Sequence, residues 1–84
     1  MTYRYTPEVL EALAEHGLRP QPDTAPARVR EALSDLYRYE IRRLKQDLLH
    51  GRVPKAQYSS RVLALRKRYG LLSVPIGLWA RPGP

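Results

Sequence analysis

Apolar residues recur three and four positions apart over three stretches of the chain, the spacing that places side chains on one face of an α-helix. In the first stretch Val9, Leu10, Leu13 and Ala14 share a face while Glu8, Glu11 and Glu15 fall on another. Thr6-Pro7-Glu8 reads as its start, combining a hydroxyl cap, a proline at the first helical position and a carboxylate at the positive end of the dipole. Gly17 stops it, and Leu18 is placed to fold back on the last apolar turn. The pattern predicts a helix over about 7–16.

Leu18-Arg19-Pro20-Gln21-Pro22-Asp23 follows, a linker stiffened by its prolines. Asp23 or Thr24 is the expected cap of a second helix, over about 25–50, closed by Gly51. Val29, Leu33, Leu36, Tyr37, Ile41, Leu44 and Leu48 make its stripe, and a helix of that span is roughly 39 Å long. Arg52-Val53-Pro54-Lys55 is too short to let the chain wander. The third helix, about 54–69, is therefore expected to return beside the second, with Tyr58, Val62, Leu65 and Tyr69 facing its stripe and Leu44 meeting Val62.

From Leu71 to Trp79 the chain is apolar but broken by Pro75 and Gly77, which suits an irregular strap with one helical turn after Ser73. Residues 80–84 read as a tail. The fold expected is a single all-α domain over residues 1–84, a long antiparallel helical hairpin with a short N-terminal helix and an irregular apolar C-terminal strap.

Composition narrows what such a domain does. At 84 residues it sits near the lower end of what one hydrophobic core supports. It has no cysteine, so disulfides and thiolate chemistry are absent. The opening residues do not read as a secretory signal, and the longest uncharged stretch, Tyr69 to Ala80, falls short of the roughly 20 apolar residues a membrane span needs. A cytoplasmic location without a transmembrane segment is the expectation.

The formal net charge is +7, and most of it lies in one half. Between residues 36 and 70, ten Lys and Arg face only Glu40 and Asp47, a local +8. Arg38, Arg42 and Lys45 share the side of the long helix away from its stripe, and with Lys67 they are the candidate phosphate contacts.

Enzymatic chemistry finds little to work with. The five glycines are scattered helix stops and tail positions, which excludes a phosphate-cradling loop. His16 and His50, the only histidines, each stand in a helix's last turn, where they complement the dipole and do not converge as metal ligands. No catalytic residue, cofactor or metal is expected.

Glu40 interrupts the apolar stripe of the long helix. As a buried polar group it requires an answering cation or phenol from the third helix, with Arg61, Arg66 and Tyr58 as candidates, and its expected role is to fix register. Leu49 and Leu63 break the pattern in the other sense, lying opposite their stripes. Two functions compete on these residues. One is a protein-interaction or self-association module whose surplus apolar surface, Leu49, Leu63, Leu71, Leu72 and Trp79, meets another protein or a second copy. The alternative is a DNA- or RNA-binding accessory protein that uses the basic face of the hairpin.

Overall fold

The computed structural model describes residues 1–83; Pro84, the end of the expected tail, lies outside the described residues. In chain order the elements are β1 (Tyr3–Tyr5), α1 (Pro7–Glu15), α2 (Pro26–Leu49), α3 (Lys55–Arg68), two short 3-10 turns (Gly70–Ser73 and Ile76–Leu78) and β2 (Ala80–Pro82).

The helix ends follow from their punctuation. Thr6 Oγ1 accepts the Val9 N–H, with Pro7 at the first helical position of α1. At the other end Gly17 takes φ +75°, and the Leu18 N–H turns back to Leu13 O at 3.0 Å, the closing pattern that a left-handed residue allows. The entry to α2 differs from expectation. Its cap is Ala25, with no side-chain bond, instead of Asp23 or Thr24. Pro26 is the reason, because it forces its predecessor into an extended conformation (Ala25 ψ 136°) and itself suits the first helical turn. Thr24 serves the linker, its Oγ1 accepting the Gln21 N–H and its carbonyl accepting the Tyr5 hydroxyl at 2.6 Å.

The molecule is mostly helical but not all-α, since β1 and β2 form a two-stranded antiparallel sheet with Arg4 opposite Arg81. Residues 80–82 are thus a strand and not a tail. Tyr3-Arg4-Tyr5 carries the two-residue alternation and aromatic content of a strand, too short to weigh against the helical stretches. Beyond the ladder the Thr6 N–H reaches Trp79 O, the Gly83 N–H reaches Thr2 O, and the Tyr3 N–H donates to Pro22 O in the linker.

The core gathers at this end. Val9, Leu13, Val29, Leu33, Tyr69 and Trp79 are buried together, with Leu71, Leu72, Val74 and Ile76 of the strap packed against them. Trp79 and Leu33 are wholly buried, and the Trp79 indole N–H donates to Val74 O at 3.1 Å. Arg30 clamps the strap from α2 by donating to Leu72 O at 3.0 Å. Leu10 and Leu36, expected on core faces, are instead exposed.

Only the first half of α2 enters this core. The rest extends past it beside α3, which gives the molecule dimensions of 53 × 17 × 16 Å and a radius of gyration of 15.4 Å. A compact chain of this length has a radius near 12 Å. The projecting part is an arm of two helices, closed at its tip by Gly51 at φ +73° and by Val53, which is buried.

Candidate interaction surface

The arm has a seam without a third layer. The buried residues of α2 are Val29 and Leu33, both in its first third, and every α3 side chain keeps some exposure. Ile41, Leu44 and Leu48 on α2 and Tyr58, Val62 and Leu65 on α3 are half-buried. Two helices bury one stripe each against the other and leave its flanks open, so the pair carries a groove on each side.

One groove is lined by Glu40, Arg43, Leu44, Asp47, Arg61, Ala64, Leu65 and Arg68. Both of its carboxylates are paired. The Tyr69 hydroxyl donates to Glu40, Arg68 stands 3.6 Å from the same carboxylate, and Arg52 pairs with Asp47 at 2.8 Å. Burial, reinforced by the hydrogen bond to Glu40 and that residue's negative charge, pushes the Tyr69 phenol up to about 12, against a smaller opposing pull from Arg68. The His16 ring lies on Tyr69 with centroids 4.2 Å apart, and its Nε2 is 2.9 Å from Arg68 O. His16 therefore ties the end of α1 to the end of α3, a tertiary role beyond the dipole complement expected of it.

Glu40 is answered by a phenol and a cation of the third segment, but by Tyr69 and Arg68 instead of Tyr58, Arg61 or Arg66. Arg61 and Tyr58 precede Tyr69 by eight and eleven residues on α3, about 12 and 16 Å nearer the tip. Arg66 faces the other groove. With its side chain 31% exposed, Glu40 is half-buried and not the fully buried polar group expected.

The second groove is lined by Tyr37, Arg38, Ile41, Arg42, Tyr58, Val62 and Arg66, and encloses about 480 Å³. Leu44 borders the first groove and Val62 the second. Three guanidinium groups rim the second groove and, among the described residues, no carboxylate lines it. Arg38 has Asp35 at 3.5 Å, but both side chains are 64% exposed, and such a pair contributes little.

Of the candidate phosphate contacts, Arg38 and Arg42 converge in this groove. Lys45 continues their row one turn on, while Lys67 is exposed and lies off both grooves. Arg66 takes the place given to Lys67, a substitution legible only once the rotation of α3 is known. The candidate apolar contacts also divide. Leu49 and Leu63 are 67% and 56% exposed, Leu71 and Leu72 are half-buried on the core, and Trp79 is at its centre. The strap covers the chain's own core and leaves Leu49 and Leu63 open. Trp79 is not offered to a partner.

Among the described residues no cluster of His, Asp or Glu is arranged to hold a metal ion, and no helix is long and apolar enough to cross a membrane. Compared with protein-family models, curated proteins and solved structures, the chain matches none.

Proposed function

We propose that this is a non-enzymatic, cytoplasmic protein-interaction module, in which α2 and α3 act as one helical hairpin that docks a partner along the projecting arm. The observation that supports this reading is the open seam. Ile41, Leu44, Leu48 and Val62 stay half-exposed over a stretch that no third element among the described residues covers, although Leu71 to Trp79 is apolar and is folded onto the core at the other end, where Leu65 also packs. Leu49 and Leu63 add exposed apolar area to the same arm. A contiguous apolar patch with a polar rim is the usual signature of a contact surface.

The reading is tested with the full chain carrying a photo-cross-linker at Leu63 in its native cell, together with sedimentation of the purified chain. It expects a discrete cross-linked species, with a partner or with a second copy, that disappears when Ile41 and Val62 are replaced by serine. A chain that sediments as a monomer at every concentration and yields no discrete adduct overturns it.

A second reading, nucleic-acid binding, is favoured by the convergence of Arg38, Arg42 and Arg66 in a groove without a carboxylate among the described residues. It expects mixed-sequence DNA or RNA to bind at low salt, with an affinity that falls steeply as salt rises because each neutralised phosphate releases counterions. Absence of binding at low ionic strength removes it.

A further inference from the structure

The two grooves of the arm differ in one respect that bears on what fits them. In the groove holding Glu40 two carboxylates stand among three guanidinium groups, with Glu40 3.6 Å from Arg68 across the groove, whereas among the described residues no carboxylate lines the other, where three guanidinium groups stand over an apolar floor. Resting on the interaction-module reading, we infer that the groove floored by Ile41, Tyr58 and Val62 and rimmed by Arg38, Arg42 and Arg66 is a docking site for an acidic amphipathic helix of another protein.

The shape of the site calls for a helix. Two packed helices with open flanks are a layer short of a bundle, and a third helix laid along this groove covers Ile41 and Val62 by the packing that joins α2 to α3. Its length is set by the arm. From Arg38 to Leu49 the groove side of α2 runs about 17 Å, which a partner helix of about 12 residues matches. Leu49 continues the row of Arg38, Arg42 and Lys45 along α2 and is exposed, adding apolar surface on that side of the helix.

The charge of the partner follows from the rim. Guanidinium groups at i and i+4 on α2, with Arg66 across the groove, stand on both flanks of the apolar floor. Carboxylates flanking an apolar stripe meet both rows, and each carboxylate–guanidinium pair forms with fork geometry. A second copy of this chain fits poorly. A two-fold contact through the groove would set Arg38, Arg42 and Arg66 against the same residues, bringing six cations together without a carboxylate from either groove lining.

Nucleic acid fits less well for a different reason. Its affinity for such a groove comes from phosphate contacts and from bases stacked on successive free aromatic faces. Tyr37 is already engaged with Tyr69, their ring centroids 5.2 Å apart, which leaves Tyr58 alone among the groove's aromatic rings. Phosphates would satisfy the arginines and leave Ile41 and Val62 uncovered.

The test uses the full chain and a synthetic helix of about 14 residues, enough to span the groove, with leucines at helical spacing and glutamates on both flanks, beside the same peptide with lysine for every glutamate. NMR titration is expected to move the resonances of Ile41, Tyr58 and Val62 and to leave Leu44 and Ala64 of the opposite groove in place. The lysine peptide is expected to bind at least about tenfold more weakly, as is the glutamate peptide to an Arg42→Glu/Arg66→Glu chain, a loss of about 1.4 kcal/mol. Recovery of binding between that variant and the lysine peptide shows that the variant still folds and that charge sets the choice. Equal binding of the two peptides, shifts confined to the opposite groove, or a dimer or DNA complex lost in the same variant overturns the inference. If the glutamate peptide does not bind while the Ile41→Ser/Val62→Ser chain still loses a cross-linked adduct, this inference falls and the interaction module stands. If there is no adduct either, both fall.

Discussion

The Tyr69 hydroxyl donates a hydrogen bond to the Glu40 carboxylate, joining the end of α3 to the middle of α2 at the point where the core gives way to the arm. The same phenol carries the His16 ring on its face and is buried, so one side chain connects all three helices. Tyr69→Phe keeps the packing and removes the bond. It is expected to lower the free energy of unfolding by about 1–2 kcal/mol, as measured by urea denaturation.

The pH dependence of that loss has a defined sign. Folding raises the phenol from its ordinary 10.0 to about 12, so the fold favours the neutral form. The contribution is fully present below pH 10 and is lost as pH rises from about 10 to about 12. The stability difference between the native chain and Tyr69→Phe is expected to shrink across that window in a series of urea titrations. Burial also raises Tyr5, so the variant keeps part of the alkaline decline.

Trp79 is the chain's only tryptophan and is wholly buried. Its fluorescence therefore reports the core at the sheet end. Replacing it with alanine is expected to cost about 3–5 kcal/mol, a large part of the 5–15 kcal/mol typical of a folded domain. Loss of the cooperative transition in circular dichroism, or a midpoint moved far toward zero urea, is the expected result. An unchanged midpoint would contradict the placement of the strap as a core element.

Gly17 and Gly70 separate conformational strain from steric clash. A Cβ at either position meets nothing within 4 Å, but Gly17 has φ +75° and Gly70 has no such requirement. Gly17→Ala is expected to lose about 1 kcal/mol, the cost of holding an L-residue in the left-handed region. Gly70→Ala is expected to be neutral or to gain up to about 1 kcal/mol by restricting the unfolded chain. Thermal unfolding of the two variants side by side is the check.

The arm is expected to open before the core does. Amides from Ile41 to Leu48 and from Tyr58 to Leu65 belong to regular helices whose side chains are only half-buried, whereas those around Leu13 and Leu33 lie under a closed core. Native-state hydrogen exchange should show lower opening free energies in the arm, because local stability follows the apolar contacts that opening breaks. Protection equal throughout would mean that the seam is closed more tightly than its exposure indicates.

Much of this architecture is legible along the chain because helices are local. The three-and-four spacing of Val9 and Leu13, of Val29 and Leu33, and of Tyr58 and Val62 places α1, α2 and α3 to within a residue or two of their observed bounds. Prolines and glycines mark where they stop. Periodicity reports which residues share a face but not whether anything covers it, and so Leu36 shares a stripe with Leu33 yet lies at the surface while Leu33 is wholly buried.

By itself the sequence determined the three helices, the position of the cationic half and the need of Glu40 for a partner, since each depends on residues within a few turns of one another. Tertiary structure alone decided that Tyr3–Tyr5 pairs with Ala80–Pro82, that Trp79 fills the core, that Tyr69 answers Glu40 and that Arg66 joins Arg38 and Arg42. These contacts join segments far apart in the chain, and they depend on how far α3 is slid and turned against α2, a choice made by the sum of all packing contacts and not by any local pattern.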